Sequence, residues 1–127
     1  MSDESRECFE RFHANIDFAR KLEEQFPEDV AWSCVVRFYA ALHLINAYLI
    51  ARAHLHFDPF MSSHVERKQA MASCPELRDA PKKFRELKDL SERIRYDAGF
   101  QYTPEHQRMS KAFLERIIAI VEPKLQR

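Results

Sequence analysis

Gly99 is the single glycine of the chain, and that scarcity constrains the fold more than any motif does. Hairpin turns draw on glycine for their positive backbone angles, so a sheet-rich fold is disfavoured before any periodicity is read. The remaining composition suits helix: 46% of residues are apolar and 31% are charged, enough for buried and wetted helix faces. A length of 127 residues fits one domain with a real core and is too short for two ordinary ones.

Six prolines, Pro27, Pro59, Pro75, Pro81, Pro104 and Pro123, punctuate the chain. Proline is accepted in the first turn of a helix and disrupts its interior, so these positions mark where helices begin and end. A first helix is predicted from about Asp3 to Gln25, with Phe9, Phe12, Ile16, Ala19 and Leu22 on one stripe. The second starts near Glu28 or Asp29 and continues to about Ala53. It carries one apolar stripe, Ala31, Cys34, Val35, Phe38, Leu42, Ile45 and Leu49, and a half-polar one, Trp32, Val36, Tyr39, His43, Asn46 and Ile50. "SHVE" at Ser63 to Glu66 reads as a capping box opening a short third helix at His64 that ends before Pro75. The fourth begins around Pro81, turns Phe84, Leu87, Leu90, Ile94 and Ala98 inward, and is stopped by Gly99. Thr103 caps the fifth, Pro104 is its first residue, and Met109, Phe113, Ile117, Ile120 and Val121 carry it to roughly Leu125. The expected fold is all-α: an antiparallel helical bundle of four long helices plus one shorter helix, with residues 1–127 as a single domain.

Twenty basic and twenty acidic residues cancel, so no global field draws the protein to nucleic acid or an anionic membrane, and any such contact needs a local patch. Cys8, Cys34 and Cys74 are odd in number and far apart, which suits free thiols in a reducing compartment. The opening "MSDESRECFE" lacks the basic and then apolar pattern of a secretion signal. The most apolar run, Phe38 to Ala51, has 14 residues, too few to span a bilayer. A cytoplasmic protein with no membrane partner is expected.

Within that apolar run the polar residues carry the functional information. Tyr39, His43 and Asn46 follow one another at four and three residues, and at about 100° per residue they share a helical face. Arg37 precedes His43 by six residues, roughly 120° around the helix and about 9 Å along it, so it reaches only an adjacent groove. Three later segments offer candidate partners: "SSHVER" with His64 and Arg67, "LSERIRYD" with Ser91, Arg95 and Tyr96, and "HLHFD". His54, His56 and Asp58, with His64 beyond, alternate in a loop. They lack a second anchored ligand pair, so neither a metal nor a cofactor is expected.

The run "FYAALHLINAYL", then "SHVER", then "LSERIRYDAGF", resembles the HEPN domain family of small prokaryotic helical bundles. Members show a tyrosine- and alanine-rich helix ending in histidine, a serine- or threonine-histidine pair opening the next helix, and an arginine-containing segment closing on tyrosine. The matching positions are Tyr39, Ala40, His43, Ser63, His64, Arg95 and Tyr96. The resemblance covers about Val30 to Tyr102. It implies a homodimer that targets RNA, with a cognate antitoxin or defence partner. Active members are metal-independent endoribonucleases of toxin–antitoxin and antiphage systems, and their R-x4-6-H motif is matched by Arg37 and His43 in "RFYAALH". In that reading His43 shuttles the proton of the 2′-hydroxyl or leaving group and Arg37 neutralises phosphate charge. Tyr39, Asn46, His64, Arg67, Arg95 and Tyr96 form the candidate binding set, Asn46 and Arg67 from the helical-face reading and the others matched by the resemblance as well. The alternative is a non-catalytic nucleotide-binding or dimeric assembly module.

Each of these residues also has a plainer reading. Tyr39, His43 and Asn46 fit a buried hydrogen-bonded network that fixes helix register. Arg37 fits an interface or a salt bridge, His64 a solvent-facing residue after a cap, and Arg67 a surface cation. Arg93, Arg95 and Tyr96 fit a solvated helix face, as do Lys82, Lys83, Arg85 and Lys88.

Overall fold

The computed structural model describes residues 1–52, 58 and 64–125. Among the described residues it is all-helical, with no strand. Ser2 sets the first helix: its hydroxyl accepts from Ser5 N at 3.1 Å, and Asp3 and Glu4 occupy the positive end of the helix dipole. Helix α1 spans Asp3–Gln25, as its stripe predicts.

Helix α2 spans Ala31–Ala51, starting later than the acidic residues after Pro27 suggest. The N–H of Asp29 is committed to a turn with Phe26 O at 3.0 Å, and Ser33 N donates to Val30 O at 3.0 Å, so the first helical turn forms on Val30 instead. The expected end at Ala53 and the expected cap Ser63 lie outside the described residues. Helix α3 spans His64–Ala72 and is followed by a 3₁₀ turn, Pro75–Leu77, that periodicity did not foretell.

Helix α4 spans Ala80–Tyr96 with Pro81 in its first turn. It stops short of Gly99 because Asp97 ends it. The Asp97 carboxylate accepts from Gly99 N at 3.1 Å and its carbonyl from Phe100 N at 3.0 Å, a side-chain turn that competes with helix. Gly99 has no positive φ, so its conformational freedom is unused and Ala98 is exposed. Helix α5 spans Pro104–Leu125, capped by Thr103, whose hydroxyl accepts from His106 N at 3.2 Å. Pro123 sits inside the last turn rather than ending it. The carbonyl it leaves without a helical donor belongs to Ala119, which is exposed and can bond to water.

The core is organised around α2, which packs against α1, α4 and α5. Its two expected stripes cover only part of the buried surface: Ser33, Arg37, Ala40, Ala41, Leu44, Ala47 and Tyr48 are buried as well. Alanines at the crossing with α1 let the backbones approach closely enough for Ser5 Oγ to donate to Ala47 O at 2.7 Å. Helix α2 has the length and apolarity of a membrane-crossing helix, but 67% of its most apolar window is buried within the fold. Leu44, Leu49, Leu87, Ile117 and Val121 are wholly buried, and truncating any of the leucines to alanine would cost about 2–5 kcal/mol.

Candidate functional site between α2, α3 and α4

Asn46 and Arg67 begin the site. Both are nearly inaccessible, at 5% and 6% exposure, and Arg67 Nε donates to Asn46 Oδ1 at 2.9 Å. This bond ties α3 to α2 at mid-helix. Arg67 Nη1 also lies 3.4 Å from His64 Nδ1. The guanidinium can only donate, so the neutral His64 ring carries its proton on Nε2.

Arg95 completes the opposite wall from α4. Its Nη1 donates to Tyr39 Oη at 3.1 Å and Tyr96 Oη at 3.5 Å, and its Nε to Ser91 O at 3.4 Å. The guanidinium stands 5.8, 5.7 and 5.0 Å from the ring centroids of Phe38, Tyr39 and Tyr96, within cation–π range of each. Among the described residues no carboxylate lies within ion-pair distance of Arg95. The neighbouring acid, Glu92, is held instead by Lys88 Nζ at 2.7 Å.

Between these walls lies a groove of about 260 Å³ lined by Tyr39, His64, Arg67, Lys88, Glu92 and Arg95, with Phe38 and Leu42 beneath. Four of the sequence-selected binding residues line it directly. Asn46 anchors one of them, and Tyr96, 76% exposed, flanks Arg95 at the rim. Lys88 and Glu92 escaped selection, although their spacing from Arg95, i, i+4 and i+7 on one helix face, was a usable signal.

Burial, and then nearby cations, depress the imidazoles at and beside the groove. Burial lowers the basicity of His64, and Lys88 and Arg67 lower it further. His43, half-buried beside this network, is lowered by burial and then by Arg11 and Arg67. Both are therefore held towards the neutral form, which accepts protons. Lys88, by its hydrogen bond, holds the Glu92 carboxyl below its ordinary range.

Arg37 lies elsewhere. It is 5% exposed, pairs with Glu23 of α1, and donates to Ser33 Oγ at 3.0 Å and Ser110 Oγ at 3.4 Å. Glu23 in turn accepts from Gln107 Nε2 at 2.9 Å and faces Lys111 Nζ at 3.3 Å. Arg37 therefore has the salt-bridge role that its sequence also allowed. It borders a different groove, between α1 and α5, of about 320 Å³. The structure does not bring Arg37 and His43 together, because their offset puts them on different faces of α2 and α1 and α5 claim the arginine.

His54 and His56 lie outside the described residues, and among those described no group of three or more His, Cys, Asp or Glu could hold a metal ion. Neither family models, nor curated proteins, nor solved structures yield a match to this chain.

Proposed function

We propose that the chain is an HEPN-like RNA-targeting domain that holds single-stranded RNA in the groove between α2, α3 and α4, acting as a binding module. The observation carrying this reading is the Arg95 guanidinium, oriented by two tyrosine hydroxyls and set against three aromatic rings. A cation beside exposed tyrosines suits a phosphate and the base next to it. Lys88 and Arg67 add positive potential along the groove. An antiparallel arrangement of the four long helices with α3 as the short fifth, a cytoplasmic homodimer, and an antitoxin or defence partner belong to the same proposal.

Fluorescence anisotropy with labelled oligouridylate tests it. Arg95→Ala should weaken binding about five- to hundredfold, the usual worth of a cation and a stacked base. Affinity should fall with salt, with a log–log slope of about 0.7 per phosphate neutralised. Salt-independent binding, or an unchanged Arg95→Ala variant, would refute the reading.

Metal-independent cleavage in this groove is the second reading. It is favoured by His64 beside Arg67: when Arg67 Nη1 turns from His64 Nδ1 to a phosphate oxygen, the freed Nδ1 can take the 2′-hydroxyl proton while the guanidinium offsets phosphate charge. The pairing of His43 with Arg37 is less favoured, because Arg37 is engaged by Glu23. Turnover of RNA in excess EDTA, lost in His64→Ala, would select cleavage over binding alone.

A further inference from the structure

Next to the groove at Arg95, a second opening runs between α3 and α4. It measures about 410 Å³ and is lined by His64, Lys68, Met71, Phe84, Arg85 and Lys88, with Ala72 at the end of α3 among its remaining walls. That volume falls in the roughly 300–1,000 Å³ range of cavities that enclose small molecules.

The two openings form one trough. His64 and Lys88 line both. Their floors also meet: the Phe84 ring under the cavity lies 5.4 Å from the Phe38 ring under the groove. Met71 and Phe84 are buried, making the cavity floor apolar, whereas Lys68 and Arg85 are exposed on its rim. Among the described residues Asp89 is the single acid lining it, against the cations Lys68, Arg85 and Lys88. Arg85 and Lys88, which the sequence assigns to a solvated face, thus border a cavity.

An apolar floor under a basic rim is complementary to a nucleobase carried on an anionic backbone. We propose that the cavity between α3 and α4 is a nucleobase subsite, so that the ligand is a single strand of at least two nucleotides. One base lies by Tyr39 and Tyr96, the next enters beneath α3, and the phosphate between them passes Lys88 and His64. Paired bases, stacked inside a duplex, cannot enter the cavity, so the site selects unpaired strands. This inference rests on the groove at Arg95 being an RNA site.

The test uses the full chain and uridylates of one to six nucleotides, measured by anisotropy or calorimetry. In the wild type, affinity should rise about five- to hundredfold between one and two nucleotides. Ala72→Trp fills the cavity from an exposed position without removing a cation, and should abolish that rise while leaving the mononucleotide affinity unchanged. Lys68→Gln with Arg85→Gln should shrink the rise by neutralising the rim, which guards against a local packing defect in the first variant. A length dependence unaltered in both variants would overturn the subsite and leave the Arg95 groove standing. Binding insensitive to Arg95→Ala, or no binding of any uridylate by the wild type, would overturn the groove reading and this inference with it.

Discussion

Asn46→Leu isolates the bond that holds α3 in place. Asn46 accepts from Arg67 Nε at 2.9 Å with both residues buried, and leucine fills similar space while offering no acceptor. Hydrogen bonds to charged groups are worth about 1.5–3 kcal/mol when one partner is removed. Unfolding entropy near about 2.1 cal/mol/K per residue, taken over 127 residues, gives about 0.27 kcal/mol per degree. The expected fall in Tm is therefore about 6–11 °C. Urea titrations followed by circular dichroism should show a lower midpoint at unchanged m, the signature of lost stability rather than altered compactness. Asn46→Asp restores an acceptor and should keep the midpoint near wild type at neutral pH. A destabilisation under about 0.5 kcal/mol for Asn46→Leu, the range of an ordinary surface change, would refute the view that this bond anchors α3.

Arg37→Met should destabilise the fold by about 3 kcal/mol, the low end for breaking a buried ion pair, because Glu23 keeps Lys111 and Gln107. Oligouridylate affinity in the folded fraction should not change, and a selective loss of binding with full stability would return Arg37 to the functional site. His43 and His64 have basicities lowered in the folded state, so the unfolded chain takes up protons first. Stability should be complete above the ordinary histidine pKa of about 6.5 and fall as pH drops through it. His43→Gln should shrink the loss of Tm between neutral and mildly acidic pH, and an undiminished loss would contradict the assignment. Cys34 is wholly buried and its thiol is pushed up to about 11, chiefly by burial. It should resist a thiol reagent in the native protein at mildly alkaline pH and react on unfolding; rapid native labelling at Cys34 would contradict its placement.

Helix positions were legible because proline placement and apolar spacing are local properties, which is why α1 and α5 lie where Phe12 and Ile117 put them. The start of α2 and the end of α4 were not, since the Phe26–Asp29 turn and the side-chain turn of Asp97 compete with helix through specific hydrogen bonds. At the site, Tyr39 and Asn46 were readable as one face of α2, and His64, Arg67 and Arg95 as partners brought by later helices. The R-x5-H spacing counts positions along a helix, and the roughly 120° between Arg37 and His43 turns the arginine towards a different groove. Glu23 and Ser110, which claim Arg37, come from α1 and α5, and no local pattern links them to it. Tertiary packing alone made the trough continuous across Phe38 and Phe84.

The most direct measurement is a map of backbone amide NMR shifts during titration with a short oligouridylate. Binding in the groove between α2, α3 and α4 should move the amides around Tyr39, from His64 to Ala72, and from Phe84 to Tyr96, with those of Glu23 and Lys111 unmoved. Shifts centred on Glu23, Arg37 and Lys111, in the groove between α1 and α5, or no shifts at any amide, would contradict it.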